Sequence, residues 1–168
     1  MPSDIQGEGS AFALGRKRTQ AAGSRGMTVA EASPGFPILD ESWTPDTPHA
    51  PPPCDGVLGL YAQGTRARWY WTCPDCGLEF EPSRERLHWP AEGSPAERGA
   101  AAVMVCLHCG SVIPPDRKAE LNRGGRWLHE TADGRVAPLG DATRQTATAS
   151  YWLKGPAAAF ASWAQIVT

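Results

Sequence analysis

Along the chain the apolar positions come in short runs, separated by stretches crowded with proline and glycine, and the elements they predict are correspondingly short. Ala11, Phe12, Ala13, Leu14 and the alanines after them predict one helix over 9–23. Arg16, Lys17 and Arg18 fall in its second half, where cations complement a helix C-terminus, and Gly23 and Gly26 can stop it. Met27 to Ala32 reads as a short strand that Ser33-Pro34-Gly35 ends abruptly. Residues 34–53 include Pro51-Pro52-Pro53 and predict an extended linker or ordered loop. Val57 to Gln63 predicts one or two helical turns before Gly64.

The second half reads as hairpins. Arg66 to Thr72 is rich in β-formers and leads into a first cysteine pair; Leu78 to Glu81 alternates behind it as a partner strand. Residues 90–99 read as a polar loop, and Ala101 to Val105 as a strand feeding a second cysteine pair. Pro115 to Leu121 predicts a short helix with Gly124-Gly125 beyond its end. Arg126–His129 and Val136–Pro138 flank Asp133-Gly134, a tight-turn dipeptide. Ala149 to Leu153 is strand-like, and a helical piece begins at Ala161.

Composition narrows the class. A chain of 168 residues makes one ordinary domain or two small pieces of larger ones. With 41% apolar and 20% charged residues it is globular, while eighteen glycines and sixteen prolines demand long irregular stretches. Sixteen basic against eighteen acidic side chains, a formal charge of −2, argues against binding nucleic acid over the whole surface, though not against a local basic face. No apolar run is long enough for a membrane helix, and the N-terminus lacks a secretory pattern, so the expected compartment is the cytoplasm, where thiols stay reduced.

Reduced cysteines in a regular pattern point to a metal. Cys73-Pro74-Asp75-Cys76-Gly77 and Cys106-Leu107-His108-Cys109-Gly110 share one spacing, and each follows a predicted strand. Two intervening residues let both thiolates of a tight turn face one ion, and the trailing glycine permits the backbone twist that closes the knuckle. Two knuckles supply four soft anionic ligands, the donor set of a closed structural zinc site. Residues 77–105 make a longer spacer than usual, which lengthening a loop makes inexpensive. Buried or redox-active thiols are the alternative reading, and iron would use similar knuckles. His108 is expected to point outward, with replacing a cysteine as ligand the alternative; His49, His88 and His129 read as surface histidines, and Cys54 as a free thiol. Arg66 and Arg68 beside Trp69, Tyr70 and Trp71 combine cations with aromatic faces, the ingredients of nucleic-acid binding. Core packing of those rings is the simpler reading, since basic and acidic residues nearly balance between 66 and 126.

Three stretches, in order, resemble the lambda-type phage terminase large subunits. The first runs through Gly7–Phe12, Arg16–Thr19 and Met27–Pro34, and is similar to the end of the family's ATPase core, with Arg18-Thr19 on the helix and Ser33-Pro34 at the strand end. The second is Tyr61–Gly77. The third comprises Cys106–Gly110, Gly125-Arg126-Trp127 and the tail from Tyr151 to Val167. The resemblance implies an α+β fold in which a helix–strand remnant of a P-loop ATPase core precedes a small zinc-ribbon module of short antiparallel strands. It implies four segments: 1–35 from the ATPase core, 36–65 as a Pro-rich linker with a short helix, 66–130 as the zinc ribbon, and 131–168 leading toward a nuclease domain. It also implies Ser33 as a nucleotide-coupling residue, and Arg16 and Arg18 as candidates to face phosphate or DNA. Partners implied are double-stranded viral DNA, the terminase small subunit and the portal protein, in the bacterial host cytoplasm and away from membranes.

The 168 residues contain no Gly-Lys-Ser/Thr loop to cradle phosphates. The expectation is therefore a middle segment of such a subunit, with ATP and Mg2+ used only by the full-length family, and with neither ATP hydrolysis nor DNA cleavage by this chain alone. A free-standing zinc ribbon that binds nucleic acid, or one that docks proteins, is the alternative. A helix and lone strand without a sheet would leave an open edge, predicting that residues 1–56 are poorly ordered or aggregation-prone in isolation.

Overall fold

The structure, a computed structural model, describes residues 10–168. The predicted helix start at Gly9 and the Gly7-Glu8-Gly9 stretch lie outside the described residues. The first helix, α1 (Ala11–Thr19), begins where the Ser10 hydroxyl accepts from the Ala13 N–H at 3.2 Å, and Arg16, Lys17 and Arg18 occupy its last turn. None of its residues is buried. A 3-10 segment (Gln20–Arg25) continues it. The predicted strand over Met27–Ala32 does not form: this run is extended but pairs with no described strand, because a strand is defined by a partner and none is offered here.

Helix α2 (Val57–Gln63) turns its Leu58 and Tyr61 inward. Between it and the first strand, Arg66 adopts φ 49°, the only left-handed non-glycine among the described residues. Its backbone N–H donates to Ser150 Oγ at 2.9 Å and its Nε to the Ala62 carbonyl at 2.9 Å, contacts that offset the strain. Strand β1 (Ala67–Thr72) is the axis of the main sheet. Its C-terminal end pairs antiparallel with β2 (Glu79–Phe80), and its middle, Arg68 to Tyr70, pairs antiparallel with the later β6 (Arg126–Glu130), with Trp69 opposite Trp127. A second sheet holds β3 (Leu87–His88), β4 (Val103–Val105) and β5 (Val112–Ile113), all antiparallel. Strand β7 (Val136–Ala137) extends β6 across the predicted Asp-Gly turn, with Gly134 at φ 79°. Every pair is antiparallel except β8 (Tyr151–Trp152), which runs parallel to the first half of β1.

Three more helices close the core. α3 (Pro95–Ala100) lies inside the stretch expected to be a loop; its Ser94/Glu97 capping box and Pro95 at the first position start a helix that composition alone obscured. α4 (Lys118–Gly124) packs beside β1, and α5 (Trp163–Val167) against Gly99 of α3. Trp71, Phe80, Leu87, Met104, Ile113, Leu121, Trp163 and Val167 form one cluster that joins both sheets. Its polar atoms are satisfied: Trp71 Nε1 donates to Asn122 Oδ1 at 2.9 Å, Asn122 Nδ2 to the Ala157 carbonyl at 2.9 Å, and Trp163 Nε1 to the Pro156 carbonyl at 3.0 Å. Gly125 admits the Trp69 ring, since a Cβ there would lie 2.6 Å from it. No helix among the described residues is long and apolar enough to cross a membrane.

Two histidines correct the surface reading. His49 is fully buried and His129 nearly so. The His49 Nδ1 lies 2.6 Å from the Arg66 carbonyl, which can only accept, so Nδ1 carries the proton and Nε2 accepts from the Tyr70 hydroxyl at 3.0 Å. Burial pushes both imidazoles below their ordinary pKa, and pushes the Tyr70 phenol up to about 12. His88 is exposed, as expected.

Candidate metal centre

The two cysteine turns follow β1 and β4, and they have the same hydrogen-bond pattern. In the first, the Gly77 N–H donates to the Cys73 carbonyl at 3.0 Å and the Cys73 N–H to the Leu78 carbonyl at 2.9 Å. In the second, the Gly110 N–H donates to Cys106 at 3.1 Å and the Cys106 N–H to Ser111 at 2.9 Å. Both trailing glycines sit at φ 72°, which a Cβ would disfavour. The repetition explains the sequence rule: a left-handed residue after the second cysteine folds the turn back so that both sulfurs face the same point.

The four sulfurs meet there. Cys73, Cys76, Cys106 and Cys109 place their Sγ atoms within 4.8 Å of one another, with Cys73–Cys109 at 3.8 Å and Cys76–Cys106 at 3.9 Å. Both of these pairs cross between the knuckles. Cys73 and Cys106 are buried in the core cluster, whereas Cys109 is exposed at the surface. Such a donor set can hold a metal ion. Without one the thiols titrate as a set. Burial pushes Cys106 up, but backbone N–H groups of Cys109 and His108, with the thiols of Cys73 and Cys109, outweigh it and bring Cys106 down to about 7. Cys109 shows the opposite balance. The Ser111 N–H lowers it, but its bonds to the other three thiols carry it up to about 12.

Residues that the spacing did not reveal lace the two knuckles together. The Ser111 hydroxyl donates to Asp75, a residue inside the first knuckle. His108 points outward as expected and is no ligand; its Nε2 meets the Glu79 carbonyl at 2.8 Å. Glu79 in turn takes a two-pronged bond from Arg126, 2.5 Å to Nε and 2.7 Å to Nη2, and that arginine holds Glu79 below the ordinary carboxylate range. The only hint in the sequence was position: Asp75 and His108 occupy the slots between ligands.

The remaining candidates lie elsewhere. Arg66 and Arg68 do not present a phosphate-facing pair: Arg66 Nη1 binds Glu130 at 3.1 Å, and Arg68 is only 5% exposed, binding Glu81 at 3.1 Å and the Tyr61 hydroxyl at 2.8 Å. Arg16 and Arg18 are exposed on α1, and Ser33 is exposed in the extended run. None of these residues is brought to the cysteine centre. Cys54 lies apart, its thiol donating to the Phe36 carbonyl at 3.3 Å.

Comparison with known proteins gives one result. The family model for the phage terminase large subunit gpA, ATPase domain, matches residues 1–127. No curated protein and no solved structure matches the chain.

Proposed function

Since the chain belongs to the phage terminase large subunit gpA ATPase-domain family, we propose that it serves phage DNA packaging through a zinc-stapled module. Family membership carries the packaging role; the crossed cysteine pairs support the metal. A tetrahedral zinc–thiolate centre has bonds of about 2.3 Å, which sets sulfur–sulfur edges at about 3.8 Å. The cross-knuckle pairs, at 3.8 and 3.9 Å, fit those edges. Four thiolates leave no open position for water, so the ion is structural. When bound, it supplies folding free energy and no chemistry. Asp75, His108, Glu79 and Arg126 keep the two knuckles in register around it.

The segments keep the roles that family resemblance gives them: 1–35 as the close of an ATPase core, 36–65 as linker, 66–130 as zinc ribbon and 131–168 as the approach to a nuclease. On this reading the loop that cradles ATP and Mg2+ belongs to residues other than those of this chain, because the 168 residues hold no Gly-Lys-Ser/Thr loop. Ser33, Arg16 and Arg18, all exposed, are free to meet such a nucleotide-bearing or DNA-bearing surface. Double-stranded viral DNA, the small subunit and the portal protein are the partners, in the host cytoplasm. Metal analysis of the purified chain tests the zinc; one zinc per chain is expected. Co-purification of a tagged chain with the portal and small subunit of its own phage tests the packaging role, and persistent failure to recover either would remove it.

One observation favours a second reading, a protein-docking zinc ribbon. Leu78 and Leu107 sit on the knuckles and Val112 just after the second, each more than half exposed. Polar substitution of all three that left partner recovery unchanged would discard it.

A further inference from the structure

The main sheet has two faces. Trp69 and Trp71 leave β1 toward the core, whereas the register of β1 against β6 puts Arg68, Tyr70, Leu128 and Glu130 on the opposite, outer face. The Pro-rich run is tied across that outer face. The Thr47 hydroxyl donates to Glu130 at 2.5 Å, His49 bonds both the Arg66 carbonyl and the Tyr70 hydroxyl, and the Tyr61 hydroxyl donates to the His49 carbonyl at 3.3 Å. His49 and Ala50 are buried, while every residue from 31 to 42 is exposed. The half of the run nearer the body is therefore docked, not loose.

His49 suits this position only as a neutral ring. The Arg66 carbonyl keeps one proton on Nδ1, so a second must enter on Nε2, against the Tyr70 hydroxyl that donates there. That hydroxyl has no other partner among the described residues. The resulting charge would also lack a free counter-ion. Around His49 stand Tyr61 of α2, Arg66, Arg68 and Tyr70 at β1, Glu81 just after β2 and Glu130 of β6; Asp46, on the run itself, is exposed. Glu81 already pairs with Arg68 and Lys154, and Glu130 with Arg66 and Arg144. Each carboxylate thus answers two cations. A buried charge without a free partner is costly, and moving it to water relieves the cost. Here that movement lifts the run.

We propose that residues 43–53 are a strap over the outer face of the main sheet, latched by His49 and released by acid while the cysteine body stays folded. Release bares Tyr70 and Glu130 and adds up to about 35 Å of reach between α1 and the body. The sign follows from burial, which holds the docked imidazole below its ordinary value. The latch is at full strength above the ordinary histidine value, about 6.5, and weakens as pH falls from there toward the docked value. Glu130 titrates below this window, so the Thr47 bond persists through it. The strap is independent of the metal and packaging readings, and its failure would leave both untouched.

The test is amide exchange of the full chain, zinc content verified, followed by mass spectrometry between pH 7.5 and 5.5 and corrected for intrinsic rates. Peptides over 43–50 report the strap, through the Ala50 N–H that donates to Thr47; peptides over β1 and β4 report the body. The strap's opening equilibrium should rise about threefold or more across that range, one proton's worth, with the body peptides unchanged. His49→Asn should open the strap at every pH and remove the acid response. Tyr70→Phe, outside the core cluster, should raise strap exchange at pH 7.5 by about threefold or more and leave the body as it was. Strap exchange that is independent of pH, an acid response retained in His49→Asn, no change in Tyr70→Phe, or strap and body opening in step would overturn the proposal.

Discussion

The stretch from Ser10 to Ser42 and the cysteine-bearing body differ in what holds them. In the former, no residue of α1 is buried and every residue from 31 to 42 is exposed, including Ile38 and Leu39. In the latter, Trp71, Phe80, Met104, Ile113 and Trp163 are essentially sealed from solvent around two cysteine turns. The body is a small structure with two-residue strands, too little sheet to be stable on strand pairing alone. It closes its own core because four sulfurs and a ring of indoles meet. The N-terminal stretch leaves apolar residues such as Ile38 and Leu39 exposed. The contrast teaches that the cysteine turns and the core are one structural unit, and that α1 and the extended run are held by little within it.

The largest break in that contrast is at a ligand. Cys106→Ser is expected to remove a core-facing thiolate and on the order of 10 kcal/mol of metal-coupled folding free energy, abolishing the cooperative thermal transition of the body. A melt followed by near-ultraviolet dichroism, with zinc content measured in parallel, checks this. Next in size is Trp71→Ala, which leaves a cavity beside Phe80 and Trp163 and strands the Asn122 amide oxygen; a loss of about 3–5 kcal/mol is expected in urea titration. These two changes should act on the body and leave amide exchange in α1 as it was.

Glu130→Gln comes third. Glu130 is buried and accepts from Arg66, Arg144 and Thr47. Burial raises its pKa, and the Thr47 and Arg144 bonds with the Arg66 charge more than reverse that, so the folded value lies below the ordinary one. A depressed folded pKa means that the stabilisation is present above the unfolded value, about 4.3, and is lost as pH falls through the folded value. The substitution should cost about 2–4 kcal/mol near neutrality and flatten the acid limb of the stability profile. An acid limb unchanged from wild type would show that another group sets it. The smallest effect is expected at Ser10→Ala, which removes the cap of α1. It should cost the helix about 1 kcal/mol while moving the melting of the body hardly at all; a matching drop in both would erase the distinction between the regions.

Much of the body was legible because its signals are local. Cys-x-x-Cys-Gly encodes both the four clustered thiols and the turn that aims them; Asp133-Gly134 encodes its hairpin, and β-formers mark β1. What escaped was set by distant partners. Nothing near His49 in sequence announces that Tyr70 and the Arg66 carbonyl will enclose it. Arg66 and Arg68 looked available beside aromatic residues, yet Glu130 and Glu81, far along the chain, claim them. The extended run at Met27–Ala32 had the composition of a strand, but a strand also needs an edge to join. Only α3 was readable and overlooked, since Ser94-Pro95-Ala96-Glu97 is a capping box in plain view.

The central claim is tested most directly by chelator titration of the purified, reduced chain, with zinc release and tryptophan near-ultraviolet dichroism recorded on the same sample. The account predicts that one zinc leaves per chain and that the tryptophan signal collapses in step with it, returning when zinc is restored. A chain that holds no metal, or one that gives up its metal with the indole packing intact, would contradict it.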